Sequence, residues 1–226
     1  SVGGVNNTDL LQFVSIPGGG LVVGNDVAST YADELTVGAV RSFGSKGSAR
    51  ADLVYREYGN FYSTKRDTST GRVLNANGNP VDLGVIGNDN DGLERTYMGL
   101  QTSFDYRATD RITIGGAYTL SKAEGNFEGE NQGSGPVTSA LQSYPEYKEA
   151  RWNAPSGDLL IDQTHKFALF AVWEAFKTDR QRLAISARQL YNSGFAYSAI
   201  GNVGTRAFVT NPGYVSPPTQ VPYFFS

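Results

Sequence analysis

The feature that most constrains this chain is a twofold alternation of side chains, which recurs in three pairs of segments. In residues 49–62, one parity carries small or apolar side chains, namely Ala49, Ala51, Leu53 and Tyr55. The other parity carries charge, namely Arg50, Asp52 and Arg56. Successive side chains of a β-strand point to opposite faces, so a period of two predicts a strand with one apolar and one polar face.

The glycine-rich stretch GSKGS before this strand superficially resembles a phosphate-binding loop. That motif requires G-x-x-x-x-G-K-[ST] between a strand and a helix. Here Lys46 precedes Gly47, and an alternating segment follows instead of a helix. The residues before it, ELTVGAVRSF, also alternate. We therefore predict a hairpin turn at 43–48 and exclude a nucleotide site on this motif.

Two further hairpins have the same pattern. Residues 93–106 and 111–125 flank the short segment RATD, and residues 164–176 and 182–197 are joined by KTDRQ. These pairs predict turns near 107–111 and 177–181. We expect all three turns to lie at one end of a single sheet.

The connections between the hairpins are long and polar. They comprise residues 61–92 and 125–162, which we expect to be loops. Long structureless loops are uncommon in compact soluble domains. Short turns on one side and long loops on the other are typical of outer-membrane barrels, with short periplasmic turns and long extracellular loops. The pattern predicts an all-β fold: about six strands of a larger antiparallel transmembrane β-barrel.

Strand length and aromatic residues favour the same fold. The alternating segments have about 10–15 residues, whereas soluble strands usually have 5–6. One group of aromatic residues lies near the short turns: Phe43, Phe104, Tyr106, Trp173 and Phe176. A second group lies near the long loops: Tyr58, Phe61, Tyr62, Tyr97, Tyr191, Phe195 and Tyr197. We interpret them as belts at two membrane interfaces.

A soluble or surface-attached β-sandwich remains an alternative fold. It would bury its apolar face against a second sheet and bind a partner through the long loops. The local alternation is the same in both folds, so alternation does not decide between them. Detergent-dependent solubility and heat-modifiable migration would distinguish the two.

Composition and motifs argue against an enzyme. The formal net charge is -3, no basic block stands out, and nucleic acid is not an expected partner. The chain lacks cysteine and the common serine-nucleophile motifs, and we interpret its only histidine, His165, as structural. In GNDNDG, residues 87–92, Gly87 stands where a calcium loop requires Asp, so an Asx-rich turn is favoured over a calcium site. We predict no catalytic site, metal or cofactor.

The segment DQTHKFALFAVWEAFKTDRQRLAISARQLYNSGFAYSA resembles late barrel strands of a TonB-dependent outer-membrane receptor, particularly the Oar-like group. The Asp-x-x-His step from Asp162 to His165 and the corner from Ser193 to Tyr197 carry the resemblance, although the corner lacks the usual proline. YADELTVGAVRSFGSKGSARADLVYREYGNFY and LERTYMGLQTSFDYRATDRITIGGAYTLSKAEG also resemble hairpins of this family.

The resemblance implies a barrel of about 22 strands, closed by an N-terminal plug, that imports a scarce ligand with energy from TonB. Residues 1–226 would then be a partial barrel domain of a receptor, without the plug and the C-terminal strands. Expected partners are outer-membrane lipid, an extracellular ligand of unknown class, and the TonB complex through the N-terminal part. The candidates for lumen-facing residues are Arg50, Asp52, Arg56 and Asp105. They would contact the plug or line the ligand path, unless they form only a solvated polar face.

Overall fold

The computed structural model describes residues 20–66, 71–127, 144–147, 156–197 and 199–224. Its fourteen strands are β1 Leu21–Val23, β2 Tyr31–Ser42, β3 Gly47–Gly59, β4 Tyr62–Lys65, β5 Arg72–Leu74, β6 Pro80–Asp82, β7 Gly84–Asn88, β8 Arg95–Thr109, β9 Ile112–Gly125, β10 Gly157–Asp158, β11 His165–Lys177, β12 Arg182–Asn192, β13 Ile200–Gly204 and β14 Gln220–Phe224. Single 3-10 turns occupy Gly44–Lys46, Pro145–Tyr147 and Thr205–Ala207. The described residues contain no α-helix, and the predicted all-β class is confirmed.

Six long strands form one antiparallel sheet in the order β2-β3-β8-β9-β11-β12. Each of these six strands therefore pairs with the one that precedes it in this order. The short β10 pairs with β9 next to His165, the residue at which β11 begins, on its loop side. Within the described ranges, β2 and β12 each pair on one side only. The six predicted strands are confirmed, and the sheet they form is open.

All three short turns lie at the same end of this sheet. Gly47, where β3 begins, pairs with Tyr106 near the end of β8, so the 43–46 turn and the turn after β8 are neighbours. Ile112, where β9 begins, pairs with Trp173 near the end of β11. The prediction of three hairpins with turns at one end is confirmed. We call this the turn end and the opposite end the loop end.

The glycine-rich segment is the hairpin turn between β2 and β3. Phe43 donates its backbone N–H to the Gly47 carbonyl at 2.8 Å, which closes the turn. Gly44 and Gly47 have φ angles of 64° and 146°, values that glycine adopts readily because it has no Cβ. The glycines therefore serve backbone geometry.

The sheet has two chemically different faces, because residues that pair across antiparallel strands lie on the same face. The apolar face is defined by the side chains of Leu35, Val37, Leu53, Tyr55, Met98, Leu100, Phe104, Tyr106, Ile112, Ile114, Leu120, Phe167, Leu169, Trp173, Phe176, Leu183, Ile185 and Tyr191. The polar face carries the opposite parity, including Glu34, Ser48, Arg50, Asp52, Arg56, Tyr58, Arg95, Tyr97, Gln101, Ser103, Asp105, Lys166, Glu174 and Arg188. The predicted grouping of residues by parity is confirmed.

The apolar face is the more exposed one. On β3, Leu53 is 55% exposed and Tyr55 43%, whereas Val54 on the polar face is only 6% exposed. A soluble sheet has the reverse distribution, with its apolar side chains covered. Within the described residues, no second layer covers the apolar face.

The buried core of the described molecule lies at the loop end. Phe61, Leu93 and Phe127 pack together there, with Tyr58 against them. Residues 61–92 contain β4 to β7, and β7 pairs with both β1 and β4. The prediction that residues 61–92 form a loop without regular structure was therefore wrong. The predicted loop 125–162 lies largely outside the described residues.

The grouping of exposed aromatic residues at the two ends of the sheet is confirmed in part. At the turn end, Phe43, Trp173 and Phe176 are exposed, as a belt requires. At the loop end, Tyr58 and Tyr97 lie on the polar face, and Phe61 is buried. The inclusion of these three in an outward-facing belt was wrong, because their parity or their loop packing turns them away from the apolar face.

The Asp-x-x-His step has a structural explanation. The Asp162 carboxylate accepts a hydrogen bond from the Ala123 N–H at 2.7 Å and is nearly buried. His165 begins β11 and contacts the Tyr118 hydroxyl through Nδ1 at 2.9 Å. Ser193, just after β12, receives the His165 N–H on its hydroxyl oxygen and donates its own N–H to the His165 carbonyl. The motif thereby fixes where β11 starts between its two neighbouring strands.

Candidate functional site: the polar face and the loop end

The first part of the candidate site is a row of charged residues along β3 on the polar face. Arg50 Nε lies 2.6 Å from Asp52 Oδ2, and the Asp52 side chain is only 15% exposed. Gly38, directly opposite Asp52, leaves room for this carboxylate because it has no side chain. One step nearer the turn end, the Ser48 hydroxyl donates to the Asp105 carboxylate at 3.0 Å.

The second part lies nearer the loop end around Arg56. This guanidinium pairs with Glu34, its direct cross-strand neighbour, and donates to the Tyr58 hydroxyl at 3.2 Å. Its Cζ lies 5.9 Å from the Tyr97 ring centre, and that of Arg95 lies 4.6 Å from the Tyr58 ring centre. Stacked guanidinium and phenol groups can bind anionic or polar ligands by hydrogen bonds and planar contact.

The structure places all four candidate residues on one face. Arg50 and Asp52 form a pair, whereas Arg56 and Asp105 have other partners and lie further along the strands. The four residues lie one after another along β3 and β8 and do not line a single pocket. Sequence analysis missed Glu34, although its parity on β2 indicated the face it shares with Arg56.

A cluster of three tyrosines at the loop end was also missed. We define the tyrosine cluster as Tyr144, Tyr147 and Tyr214. The rings of Tyr144 and Tyr214 meet edge to face with centres 4.8 Å apart, and Tyr144 and Tyr147 are 6.1 Å apart. Tyr147 and Tyr214 are buried. Burial raises the pKa values of Tyr144 and Tyr147, because a phenolate loses its hydration there.

Polar contacts connect the tyrosine cluster to distant loop segments. The Tyr214 hydroxyl lies 2.6 Å from Glu146 Oε2 and 3.0 Å from the Arg66 carbonyl oxygen. The Tyr144 hydroxyl donates to the Ser216 carbonyl at 3.0 Å. Three segments, near residues 66, 146 and 215, are therefore held together.

Asp82 strengthens this assembly. Its nearly buried carboxylate accepts the backbone N–H groups of Val215 and Ser216 at 3.0 and 3.1 Å. Arg72 donates to the Gly213 carbonyl in the same region. A buried carboxylate that accepts two N–H bonds is well satisfied, so the loop end has a defined surface.

The GNDNDG segment forms an Asx-rich turn, as predicted. Asn88 Oδ1 accepts the Ala28 N–H at 2.8 Å, and Asn90 Oδ1 accepts the Asn60 N–H at 2.7 Å. Asp89 Oδ1 accepts the Gly92 N–H at 2.8 Å. These side-chain oxygens fix the backbone of neighbouring segments.

In the described ranges, the possible metal ligands are one histidine and acidic side chains, without cysteine. His165, the only histidine, contacts Tyr118 and the backbone around Ser193. Within those ranges, no group of three or more His, Asp or Glu side chains has a metal-binding arrangement. No helix in the same residues is both long and apolar enough to cross a membrane.

A scan against models of protein families and searches of curated proteins and of solved structures found no match to this chain. The two faces of the sheet, the strand registers and the loop contacts are the features of the chain that bear on its function. Among these, the exposed apolar face is the feature that most needs an explanation.

Proposed function

We propose that this chain is part of an antiparallel transmembrane β-barrel, in a TonB-dependent receptor of a bacterial outer membrane. Eight residues of the apolar face are at least half exposed: Leu35, Val37, Leu53, Met98, Trp173, Leu183, Ile185 and Tyr191. Contiguous apolar surface of this kind is rare on soluble monomers. Lipid is the environment in which such a face is stable.

The observation that carries the proposal is the oblique course of this apolar surface. On β2 it extends from Leu35 to Ala39 with its midpoint at Val37, and on β12 from Leu183 to Tyr191 with its midpoint at Ala187. We call this surface, strand by strand, the apolar band. If the apolar band ran perpendicular to the strands, the series of directly paired residues that starts at Val37 on β2 would end at Ala187 on β12.

They do not. The pairing leads from Val37 through Leu53, Leu100 and Leu120 to His165, whereas Ala187 pairs with Ala171, six residues further along β11. Six residues are about 20 Å at 3.3 Å each, and five strand-to-strand steps are about 24 Å. The band is therefore inclined by about 40°. Strands of outer-membrane barrels are tilted by about 35–45°, which makes such a band level with the membrane.

Charge limits the apolar band on its loop side. On the apolar face, Asp33 follows Leu35 towards the loop end of β2, Glu57 follows Tyr55 on β3, and Lys122 follows Leu120 on β9. On β8 the band extends from Met98 to Tyr106, about 27 Å along the strand and about 20 Å along the membrane normal at this tilt. The lipid-facing band of known barrels is about 25 Å tall.

The polar face would line the barrel lumen in this arrangement. Arg50, Asp52, Arg56 and Asp105 would then contact a plug domain or border the path of the ligand. Side chains on this face are polar and mutually paired, as in a water-filled or plugged lumen. TonB coupling would depend on the N-terminal part that carries the plug.

The loop end would face the outside of the cell and receive the ligand. The tyrosine cluster and Asp82 give it a defined surface, and outer-membrane receptors present their long loops on that side. The resemblance of 162–199 to barrel strands of the Oar-like group supports a receptor over a barrel of another kind. The chemical class of the ligand stays open.

Labelling in intact cells tests this orientation. In the complete protein, Asn77→Cys lies in the exposed turn between β5 and β6 at the loop end, and Lys46→Cys lies in a turn-end hairpin. A membrane-impermeant maleimide should label position 77 on intact cells and position 46 only after lysis. Labelling of both sites on intact cells would support a surface-attached β-sandwich. Labelling of position 46 alone would mean the inverse orientation.

A further inference from the structure

On β11 and β12, the polar face differs from its part on β3, because it carries exposed apolar side chains between two cations. We define the amphipathic patch as three directly paired rows of residues on this face: Lys166–Asn192, Ala168–Leu190 and Phe170–Arg188. Phe170 is 41% exposed and Leu190 54%. Exposed apolar surface with a polar rim is typical of a binding site.

The centre of the amphipathic patch is a shallow apolar depression. Ala168 lies between Ala117 on β9 and Leu190 on β12. The Phe170 ring lies in the space that a Cβ atom on Gly115 would need, so the ring covers the β9 backbone there. The two small alanine side chains are therefore bordered by the larger ones of Leu190 and Phe170.

The two cations of the amphipathic patch are exposed. In the part of the chain that the structure describes, neither Lys166 nor Arg188 has a side-chain hydrogen bond or an ion pair. Both strands that flank Lys166 are described, and its direct neighbours Thr119 and Asn192 are uncharged. By contrast, the polar-face arginines of β3 are both paired with carboxylates. The patch therefore presents two positive charges that an anionic ligand can neutralise.

We propose that the amphipathic patch binds an extended acidic peptide, in which an apolar residue has a carboxylate two positions away on each side. The proposal rests on the proposed receptor function and assigns a ligand class to the lumen wall. Lys166 and Arg188 lie four residues apart along the paired strands, which is about 13 Å. In an extended peptide, side chains i, i+2 and i+4 share one face and span the same distance.

This match in spacing determines the arrangement of the peptide on the patch. The carboxylates at i and i+4 pair with Lys166 and Arg188. The apolar side chain at i+2 lies over Ala168, between Leu190 and Phe170. Charge and apolar surface are thus complementary at the same three positions.

The level of the amphipathic patch suits a ligand that arrives from outside the cell. Arg188 is next to Ala187, the midpoint of the apolar band on β12. Lys166 lies five residues from Ala171, the partner of Ala187, towards the loop end. Five residues are about 17 Å along the strand. In the proposed barrel, the patch would extend from the middle of the lumen to its outer mouth.

Peptides of defined sequence test the proposal on the complete protein in detergent, by fluorescence anisotropy of a rhodamine label. We expect the core Glu-Ser-Leu-Ser-Glu to bind roughly threefold more tightly than Glu-Glu-Leu-Ser-Ser, the scale of one exposed ion pair. The second core has the same composition, but its carboxylates are adjacent and cannot reach both cations.

Variants of the amphipathic patch assign the binding to its residues. Lys166→Gln and Arg188→Gln should each weaken binding of the first peptide roughly threefold and remove the difference between the two peptides. Ala168→Phe fills the depression and should weaken binding about fivefold, the scale of burying half a leucine side chain. Arg107→Gln, at an exposed arginine of the polar face near the turn end, is the matched control and should change neither affinity.

The outcomes separate the peptide site from the proposed function. Equal affinity for the two peptides, a difference that persists in Lys166→Gln or Arg188→Gln, or no binding at all overturns the site. The barrel proposal then stands on the labelling of position 77 in intact cells. The expected binding pattern in a protein that stays monodisperse without detergent would support the peptide site and overturn the membrane function. Heat-modifiable migration of each variant verifies that it is folded.

Discussion

The carbonyl oxygen of Asp105 occupies the space that a Cβ atom on Gly47 would need. Gly47 also has a φ of 146°, which residues with a side chain rarely adopt. We expect Gly47→Ala to lower the free energy of unfolding by about 1–3 kcal/mol, because β3 and β8 must separate locally to admit the methyl group. Urea titration of the complete protein, followed by heat-modifiable migration, measures this loss.

Gly44 provides the matched control in the same turn. It has a φ of 64°, but no atom lies within 4 Å of a Cβ built there. Gly44→Ala should therefore cost only the conformational strain of about 1 kcal/mol. A loss at Gly44 equal to or greater than that at Gly47 would contradict the role of the Asp105 contact.

The isolated chain should not behave as a soluble monomer. Both β2 and β12 have an unpaired edge in the described sheet, and unpaired edges invite association. Six tilted strands are also fewer than the eight of the smallest common outer-membrane barrels. We expect residues 1–226 alone to aggregate or to require detergent in size-exclusion chromatography with light scattering. A monodisperse monomer that unfolds cooperatively without detergent would favour the soluble β-sandwich.

The six-stranded sheet could be predicted because its signals are local. Parity assigns Leu53 and Asp52 to opposite faces without knowledge of their neighbours, and the short turns determine which segments pair. Tyr58 was assigned to the wrong face because the belts were predicted from the positions of aromatic residues near turns and loops, without regard to parity. Its parity places it with Arg56 on the polar face, whereas its proximity to a long loop suggested an outward belt.

The loop end could not be predicted because its contacts join residues far apart in sequence. Asp82 bonds to Val215 across 133 positions, and Tyr214 to Glu146 across 68. Such contacts have no periodic pattern in the sequence, and the type of a polar loop residue does not indicate whether it will be buried. The inclination of the apolar band likewise required the register of every strand pair.

The tyrosine cluster should make the loop end sensitive to alkaline pH. Burial raises the pKa of Tyr147 in the folded state, whereas an exposed tyrosine titrates near 10. Between about pH 10 and the raised pKa, Tyr147 keeps its proton in the folded loop end and loses it in the opened one. The free energy of opening the loop end therefore falls as pH rises. This stabilisation of the folded loop end by protonated Tyr147 is fully present below about pH 10 and is lost as pH passes through the raised pKa.

Hydrogen exchange across the loop end and the ultraviolet signal of tyrosinate follow this transition. Tyr147→Phe removes the ionisable hydroxyl and should move the opening to higher pH. Tyr31→Phe, at an exposed tyrosine, is the control and should leave it unchanged. An opening that is insensitive to Tyr147→Phe would show that this phenol does not determine it.

The last prediction concerns which face of β3 meets lipid. Leu53 lies within the apolar band, and Asp52 beside it lies on the polar face, where it pairs with Arg50. In the complete protein, Leu53→Arg should cost about 2–4 kcal/mol, because the cation must enter hydrocarbon or extend out of it. Asp52→Arg should cost far less, apart from the lost pairing with Arg50.

Stability alone does not establish contact with lipid, since a soluble sheet would also be destabilised by Leu53→Arg. A fluorophore attached at position 53 or 52 of the reconstituted protein provides the direct measurement. Quenchers carried by lipid chains should quench position 53 strongly and leave position 52 protected. The opposite result would mean that the two faces are reversed relative to the membrane. If neither position is quenched, β3 does not face lipid, and the inclined apolar band must be covered by protein instead.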